Sequence, residues 1–182
     1  MSAFHCEVRL VDTSGGDVTH GAPGEILVRG PNVMSHYWNA PQSTAEALRD
    51  GWFHTGDIGH RDAEGFFYVD DRKTDVIISG GENIYPAELE NILAECGMIA
   101  EAGVVGRADE SWGEVTVAVV VSEVGSGLTK GKVLDLFQNR VARYKLPRDV
   151  IFVDKLPRNA MGKMDKQALR ALVGSHAARF FR

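Results

Sequence analysis

Nothing in these 182 residues is apolar for long enough to cross a bilayer: no run approaches the ~18 residues a helical span needs. The opening MSAFHCEVRL has neither a basic start nor the apolar stretch of a signal peptide. A cytoplasmic protein with no membrane span is expected. Cysteine is almost absent as well. Cys6 and Cys96 are ninety positions apart, which makes no metal-ligand spacing and no disulfide framework and fits a reducing compartment. Positive charge is scarce in the first 125 residues, which hold 7 Lys/Arg against 21 Asp/Glu, whereas residues 126–182 hold 13 against 4. A basic end of this kind suits nucleic acid, but the aromatic platform and basic recognition helix that would go with it are missing, so no nucleic-acid partner is expected. A phosphate-rich small ligand is an equal electrostatic match, and so is an acidic face of the same protein. What is present, 44% hydrophobic and 25% charged residues, is an ordinary globular composition with enough chain for one domain or two small ones.

Phe4, Cys6, Val8 and Leu10 alternate with polar residues in the period-two pattern of a half-buried strand, so further structure is expected before it. A turn at 13–16 and a strand at 25–28, ended by Gly30-Pro31, complete a hairpin. A short helix follows over 41–48, then strands over 52–59 and 65–69. The polar stretch 70–75 leads into Val76-Ile77-Ile78, a Ser79-Gly80-Gly81 turn, and a helix opened by Pro86 and running to 95. Beyond it the pattern predicts strands at 101–105 and 115–121, a helix over 129–142, a strand at 150–153 and a helix over 165–173, with 174–182 as a frayed tail. The expected class is α+β: a small antiparallel β subdomain over 1–71, then a compact α+β domain over 72–182.

Four short clusters carry chemistry. In Thr55-Gly56-Asp57 a carboxylate at a turn offers two acceptors suited to the vicinal hydroxyls of a ribose, although an ordinary turn aspartate fits as well. Asp71-Arg72 to Asp75 reads as a hinge or as a solvated loop. Ser79-Gly80-Gly81-Glu82-Asn83 allows a ligand to approach the main chain closely, or is a plain tight turn. Leu156 to Lys163 presents a lysine just before the last helix. Its ammonium near a phosphate at ~4 Å in a partly closed site would be worth about 4 kcal/mol; otherwise it is solvated.

Taken in order, TGD (55–57), DRKTDVIISGGENIYPAELE (71–90) and PRNAMGK (157–163) resemble the adenylate-forming superfamily, specifically its acyl-CoA synthetases. GEILVRGPNVMSHYWNAP (24–41) and GWFHTGDIG (51–59) resemble that family's stretch just ahead of its mobile C-terminal domain, so the likeness runs from about Glu7 to Val173. It implies an AMP-forming ligase, part of fatty or aryl acid metabolism, that turns ATP, a carboxylic acid and CoA into acyl-CoA, AMP and pyrophosphate through an acyl-adenylate. By the same resemblance Asp57 and Arg72 hold the ribose hydroxyls of ATP, and Lys163 is catalytic, bridging the carboxylate and the α-phosphate. Lys73, Thr74 and Asp75 form the hinge, although relatives often carry Asp or Lys where this chain has Thr74. Gly80 and Gly81 line the passage for the pantetheine arm. Trp112, Tyr144 and Arg148 contact the CoA nucleotide, the alternative for the two aromatics being packing against the core.

The resemblance also makes Lys163 a candidate for a protein acetyltransferase, and makes ATP, CoA and Mg²⁺ the cofactors, with the Mg²⁺ ligands outside this chain and no metal site within it. The family's Gly-, Ser- and Thr-rich phosphate loop, its adenine motif and its acyl pocket are missing here. The isolated chain is therefore expected to be inactive without the missing N-terminal domain. Two alternatives are an adenylation domain that loads a carrier protein and a non-catalytic CoA-binding remnant.

Overall fold

The computed structural model describes residues 5–180, with side chains to His176; Phe4, the first position of the expected opening strand, lies outside the described residues. The chain divides into two compact units, Met1–Thr74 and Asp75–Arg182.

In the first unit β1 (Glu7–Val11) pairs antiparallel with β2 (Gly24–Arg29), and β2 with β4 (Trp52–Arg61). The short β3 (Leu48–Arg49) and β5 (Phe67–Arg72) both pair antiparallel with β4. The link from β1 turns where the Asp12 carboxylate accepts the amides of Ser14 at 2.8 Å and Gly16 at 3.0 Å. Pro41, with its fixed φ and no N–H to satisfy, opens α1 (Pro41–Ala47). The core is small, built on Val11, Leu27 and Trp52, and the guanidinium carbons of Arg29 and Arg9 lie 4.4 and 5.2 Å from the Trp52 ring centre.

The second unit is a five-stranded sheet with helices. The hairpin β6 (Ile77–Ser79) and β7 (Glu82–Ile84) leads into α2 (Pro86–Ala94). Then come the long hairpin β8 (Ile99–Asp109) and β9 (Gly113–Ser122), α3 (Lys130–Asp135), a 3-10 turn at Arg143–Lys145, β10 (Asp149–Phe152) parallel to β9, and α4 (Lys166–Phe180). Residues 115–120 are an unbroken apolar and threonine run because both faces of β9 are covered. Ala118 and Val120 join Ile84, Leu89, Leu93, Val104 and Phe137 on one face, while Val117 and Val119 join Val105, Ile151, Leu169 and Val173 on the other. The class is α+β, as the sequence implies.

Three local expectations are corrected. β7 is a strand where the sequence suggests only a loop, and its Ile84 is fully buried. The helix expected over 129–142 ends at Asp135: the amides of Phe137, Gln138 and Arg140 turn back to carbonyls three residues earlier, and Asn139 adopts φ 59. Asparagine tolerates that left-handed conformation, and Phe137 already fills the core from the turn. The tail expected to fray from 174 instead continues α4 to Phe180, through the good helix formers of Ala-Ala-Arg.

Candidate functional site

In the first unit Asp57 and Arg72 face each other across β4 and β5, with Arg72 Nη1 3.0 Å from Asp57 Oδ1. The strand ends are held locally: Thr55 Oγ1 accepts the Asp57 amide at 3.0 Å and donates to the Ile26 carbonyl at 2.9 Å, and the Lys73 amide donates to the Gly56 carbonyl at 2.8 Å. An ion pair this open contributes at most about 1 kcal/mol to folding. Its effect is to present a carboxylate and a guanidinium side by side.

Next to this pair, Lys73 Nζ donates to Glu25 Oε2 at 2.9 Å, and His54 Nδ1 lies 3.4 Å from the same oxygen. Glu25 is buried on β2. Burial alone would raise its pKa, but the hydrogen bonds and charges of Lys73 and His54 outweigh that and hold the carboxyl below the usual range. A cavity of about 660 Å³ lined by Tyr37, Trp38, His54, Thr55, Gly56 and Lys73 opens beside it. Of the other expected hinge residues, Asp75 is held in the second unit by Arg170 Nη2 at 2.7 Å, and Thr74 lies between the two anchors.

Lys163 sits on a braced loop. Asn159 is the brace: its side-chain oxygen accepts the amides of Met161 at 3.0 Å and Lys163 at 3.1 Å, and its own amide donates to the Lys163 carbonyl at 2.8 Å. Arg158 donates to the Gly162 carbonyl at 2.7 Å and to Glu101 Oε2 at 2.6 Å, tying the loop to β8. The Lys163 side chain is exposed and, among the described residues, has no carboxylate within ion-pair distance.

Trp112 and the pair Tyr144 and Arg148, thirty-two or more positions further along the chain, come together around one cavity of about 660 Å³. Ser79, Thr116, Arg143, Leu146 and Pro147 complete its lining. The Arg148 guanidinium carbon lies 5.3 Å from the Trp112 ring centre. Trp112 and Tyr144 are 45% and 41% exposed, so neither is a core residue. The turn that carries Trp112 is shaped by Asp109, whose Oδ1 accepts the amides of Ser111 at 3.0 Å and Trp112 at 3.1 Å.

Gly80 belongs to the same construction. Its amide donates to the Trp112 carbonyl at 2.8 Å, its φ is +59, and a Cβ there would lie 2.8 Å from Cε3 and 2.9 Å from Cζ3 of Trp112. Gly81, at φ +86, has nothing within 4 Å of the position a Cβ would take. The sequence treats these two glycines alike; only Gly80 makes room for Trp112.

Much of the charge imbalance noted in the sequence is absorbed within the second unit. Glu88 pairs with Lys145 at 2.7 Å, Glu95 with Arg140 at 2.8 Å, Glu101 with Arg158 at 2.6 Å, and Glu90 with Lys166. Among the described residues no group of His, Cys, Asp and Glu is placed to hold a metal ion, and no helix is long and apolar enough to cross a membrane.

Sequence reasoning passes over Glu25, Arg143, Arg158 and Asn159. A glutamate opening the apolar run GEILV is a signal for the first. Arg158 and Asn159 lie inside the PRNAMGK motif but draw attention only to its lysine.

Residues 88–163 match the family model described as the AMP-binding enzyme C-terminal domain. The chain is 60% identical over 172 residues to the indoleacetate–CoA ligase of Aromatoleum aromaticum, an alignment covering 94% of this chain and 34% of that protein. It is 48% identical over 170 residues to the 2-succinylbenzoate–CoA ligase of Bacillus mycoides, covering 93% and 35%. The chain thus spans about a third of the length of the curated relatives it matches. Among solved structures, o-succinylbenzoate CoA synthetase from Bacillus subtilis with its acyl-adenylate superposes with a TM-score of 0.85 at 42% identity, over 92% of this chain and 34% of that one. The amide bond synthetase McbA from Marinactinospora thermotolerans gives a TM-score of 0.86 at 37% identity, over 93% and 34%.

Proposed function

The chain belongs to the C-terminal portion of the adenylate-forming superfamily, and from that premise we propose that it is the part of an AMP-forming acid–CoA ligase that contributes to both half-reactions. On this reading residues up to about 71 end the ligase's large N-terminal domain, and the rest is its mobile C-terminal domain. Asp57 and Arg72 hold the ribose hydroxyls of ATP. Lys163 offsets the repulsion between a carboxylate nucleophile and the α-phosphate, a charge-stabilising role that needs an unneutralised cation held in position. Gly80 and Gly81 border the path of the pantetheine arm, and Trp112, Tyr144 and Arg148 receive the CoA nucleotide by stacking and phosphate pairing. Residues outside this chain supply the Mg²⁺ ligands and the acyl pocket. The relatives named for indoleacetate and 2-succinylbenzoate favour an aryl acid over a fatty acid. Lys163, exposed and without a carboxylate partner among the described residues, is also open to acetylation, which would remove the charge it brings.

The observation that carries the proposal is the cavity in which two exposed aromatics and an arginine meet from separate segments. A second reading, with an acyl acceptor other than CoA, takes its support from the amide bond synthetase among the structural neighbours.

The test is ATP–pyrophosphate exchange by a chimera that joins these 182 residues to the N-terminal portion of the indoleacetate–CoA ligase relative, beside the chain alone. Exchange and CoA thioester formation with aryl acids by the chimera, and neither by the chain alone, is the expected outcome. A folded chimera with no exchange overturns the ligase reading. Exchange without thioester formation favours the second one.

A further inference from the structure

On the reading that the Trp112 cavity takes coenzyme A, we infer that Arg143 makes the cavity selective for a nucleotide bearing a terminal phosphomonoester. Three observations lead there. First, Lys130, Arg140, Lys145, Arg158, Lys166 and Arg170 of this unit each reach a carboxylate. The two arginines that line the Trp112 cavity do not, among the described residues. Two like charges sharing a cavity with no counter-charge repel each other, an arrangement that an incoming polyanion relieves.

Second, the two arginines are not equivalent. Arg148 rests against the Trp112 ring at 5.3 Å, so its position is tied to the stacking surface. Among the described residues Arg143 has no aromatic or carboxylate partner, which leaves the donor fork of its guanidinium open. That planar fork takes two oxygens of one phosphate, and a terminal phosphomonoester, with three acceptor oxygens and the larger charge, holds it more strongly than a bridging phosphate does.

Third, the backbone parts Arg143 from its neighbouring cation Lys145. Arg143 begins the 3-10 turn in which the Lys145 amide donates to the Ala142 carbonyl at 3.0 Å. Lys145 leaves that turn for Glu88 at 2.7 Å, while Arg143 remains on the cavity lining. A ligand with a flat base and two phosphate positions matches one arginine held against the Trp112 ring and a second on the same cavity lining. Coenzyme A carries both a pyrophosphate and a 3′-phosphomonoester; its 3′-dephospho form lacks the second.

The experiment is a titration of the ¹⁵N-labelled 182-residue chain with coenzyme A and with 3′-dephospho-CoA, followed by amide and indole cross-peaks, for the wild type, Arg143→Gln and Arg143→Lys. Expected is a preference of about tenfold for coenzyme A in the wild type, the low end for one hydrogen-bonded charge pair. Arg143→Gln abolishes the preference by weakening coenzyme A alone, and Arg143→Lys, which keeps the charge but not the fork, retains part of it. Arg143→Gln that weakens both ligands equally, or neither, overturns the role of Arg143 while leaving the CoA site standing. A wild-type chain that binds neither ligand overturns the CoA reading of the cavity and this inference with it.

Discussion

Replacing Gly80 and Gly81 singly by alanine separates two effects that a glycine pair usually hides. Both have positive φ, +59 and +86, so either alanine incurs about 1–2 kcal/mol for left-handed backbone. At Gly81 that is the whole cost within this unit, because the new methyl would enter open space. At Gly80 the methyl would stand 2.8 Å from Trp112 Cε3, closer than real Cβ atoms approach, and the ring must move. Trp112 is 45% exposed, so it can swing outward rather than strain the core. The extra penalty therefore falls on ligand binding more than on folding. Losing one base–aromatic stack is worth ~1–3 kcal/mol, or about 5- to 150-fold in affinity. Urea unfolding of both variants should give similar losses of stability. The indole cross-peak of Trp112, assigned with Trp112→Phe, should move in Gly80→Ala only, and CoA affinity should fall in step. A Gly80→Ala chain whose Trp112 signal and CoA affinity match those of the wild type would refute the reasoning.

In the chimera, Lys163→Ala is expected to lose roughly 100- to 1000-fold in adenylation, by analogy with removal of one preorganised stabiliser, and to spare thioester formation from supplied acyl-adenylate. Single-turnover rates for the two steps check this, and equal losses would count against the assignment. Asn159→Ala removes the acceptor for the Met161 and Lys163 amides. It should speed hydrogen exchange at those two positions while costing the fold only about 1 kcal/mol; unchanged exchange would show that the side chain is not the brace. Two carboxyls report on acid. Asp149, like Glu25, would be raised by burial, yet its hydrogen bonds from Lys130 and Arg107 hold it below the usual range. A lowered folded-state pKa gives stability that is fully present above the unfolded value of about 4 and is lost as pH falls through the folded one. Urea midpoints should therefore drop from pH 5 towards pH 2, and Glu25→Gln and Asp149→Asn should each flatten part of that slope. Variants with the wild-type slope would show that these carboxyls are not coupled to folding.

The elements legible in the sequence are those whose signal is local. Pro86 and the apolar spacing behind it mark α2, and the run at 115–120 marks a strand buried on both faces. β7 escapes because three residues cannot show a period, and the end of α3 escapes because it turns on the conformation of Asn139. At the site, the facing of Asp57 and Arg72 follows from strand register, which motif order anticipates without revealing the geometry. The placement of Gly80 under Trp112 joins segments thirty-two residues apart, and no local pattern encodes it. Arg143 is one cation among many in a basic stretch, and it stands out only once Arg140 and Lys145 on either side of it have been traced to Glu95 and Glu88. The basic C-terminal third suggests a ligand or an internal face. The ion pairs show that the internal face takes much of it.

Those ion pairs also mark where this unit can be cut. Residues 75–125 hold 1 Lys/Arg and 10 Asp/Glu, and residues 126–182 hold 13 and 4, so pieces divided there carry about −9 and +9. The dividing loop, Glu-Val-Gly-Ser-Gly at 123–127, exposes Val124 fully, and the partners of Asp75, Glu88, Glu90, Glu95 and Glu101 all lie beyond it. The β9–β10 ladder crosses the same point. Separately expressed halves would thus attract one another at a distance and finish a shared sheet on contact, making the unit a ready split reporter whose reassembly slows as salt is added.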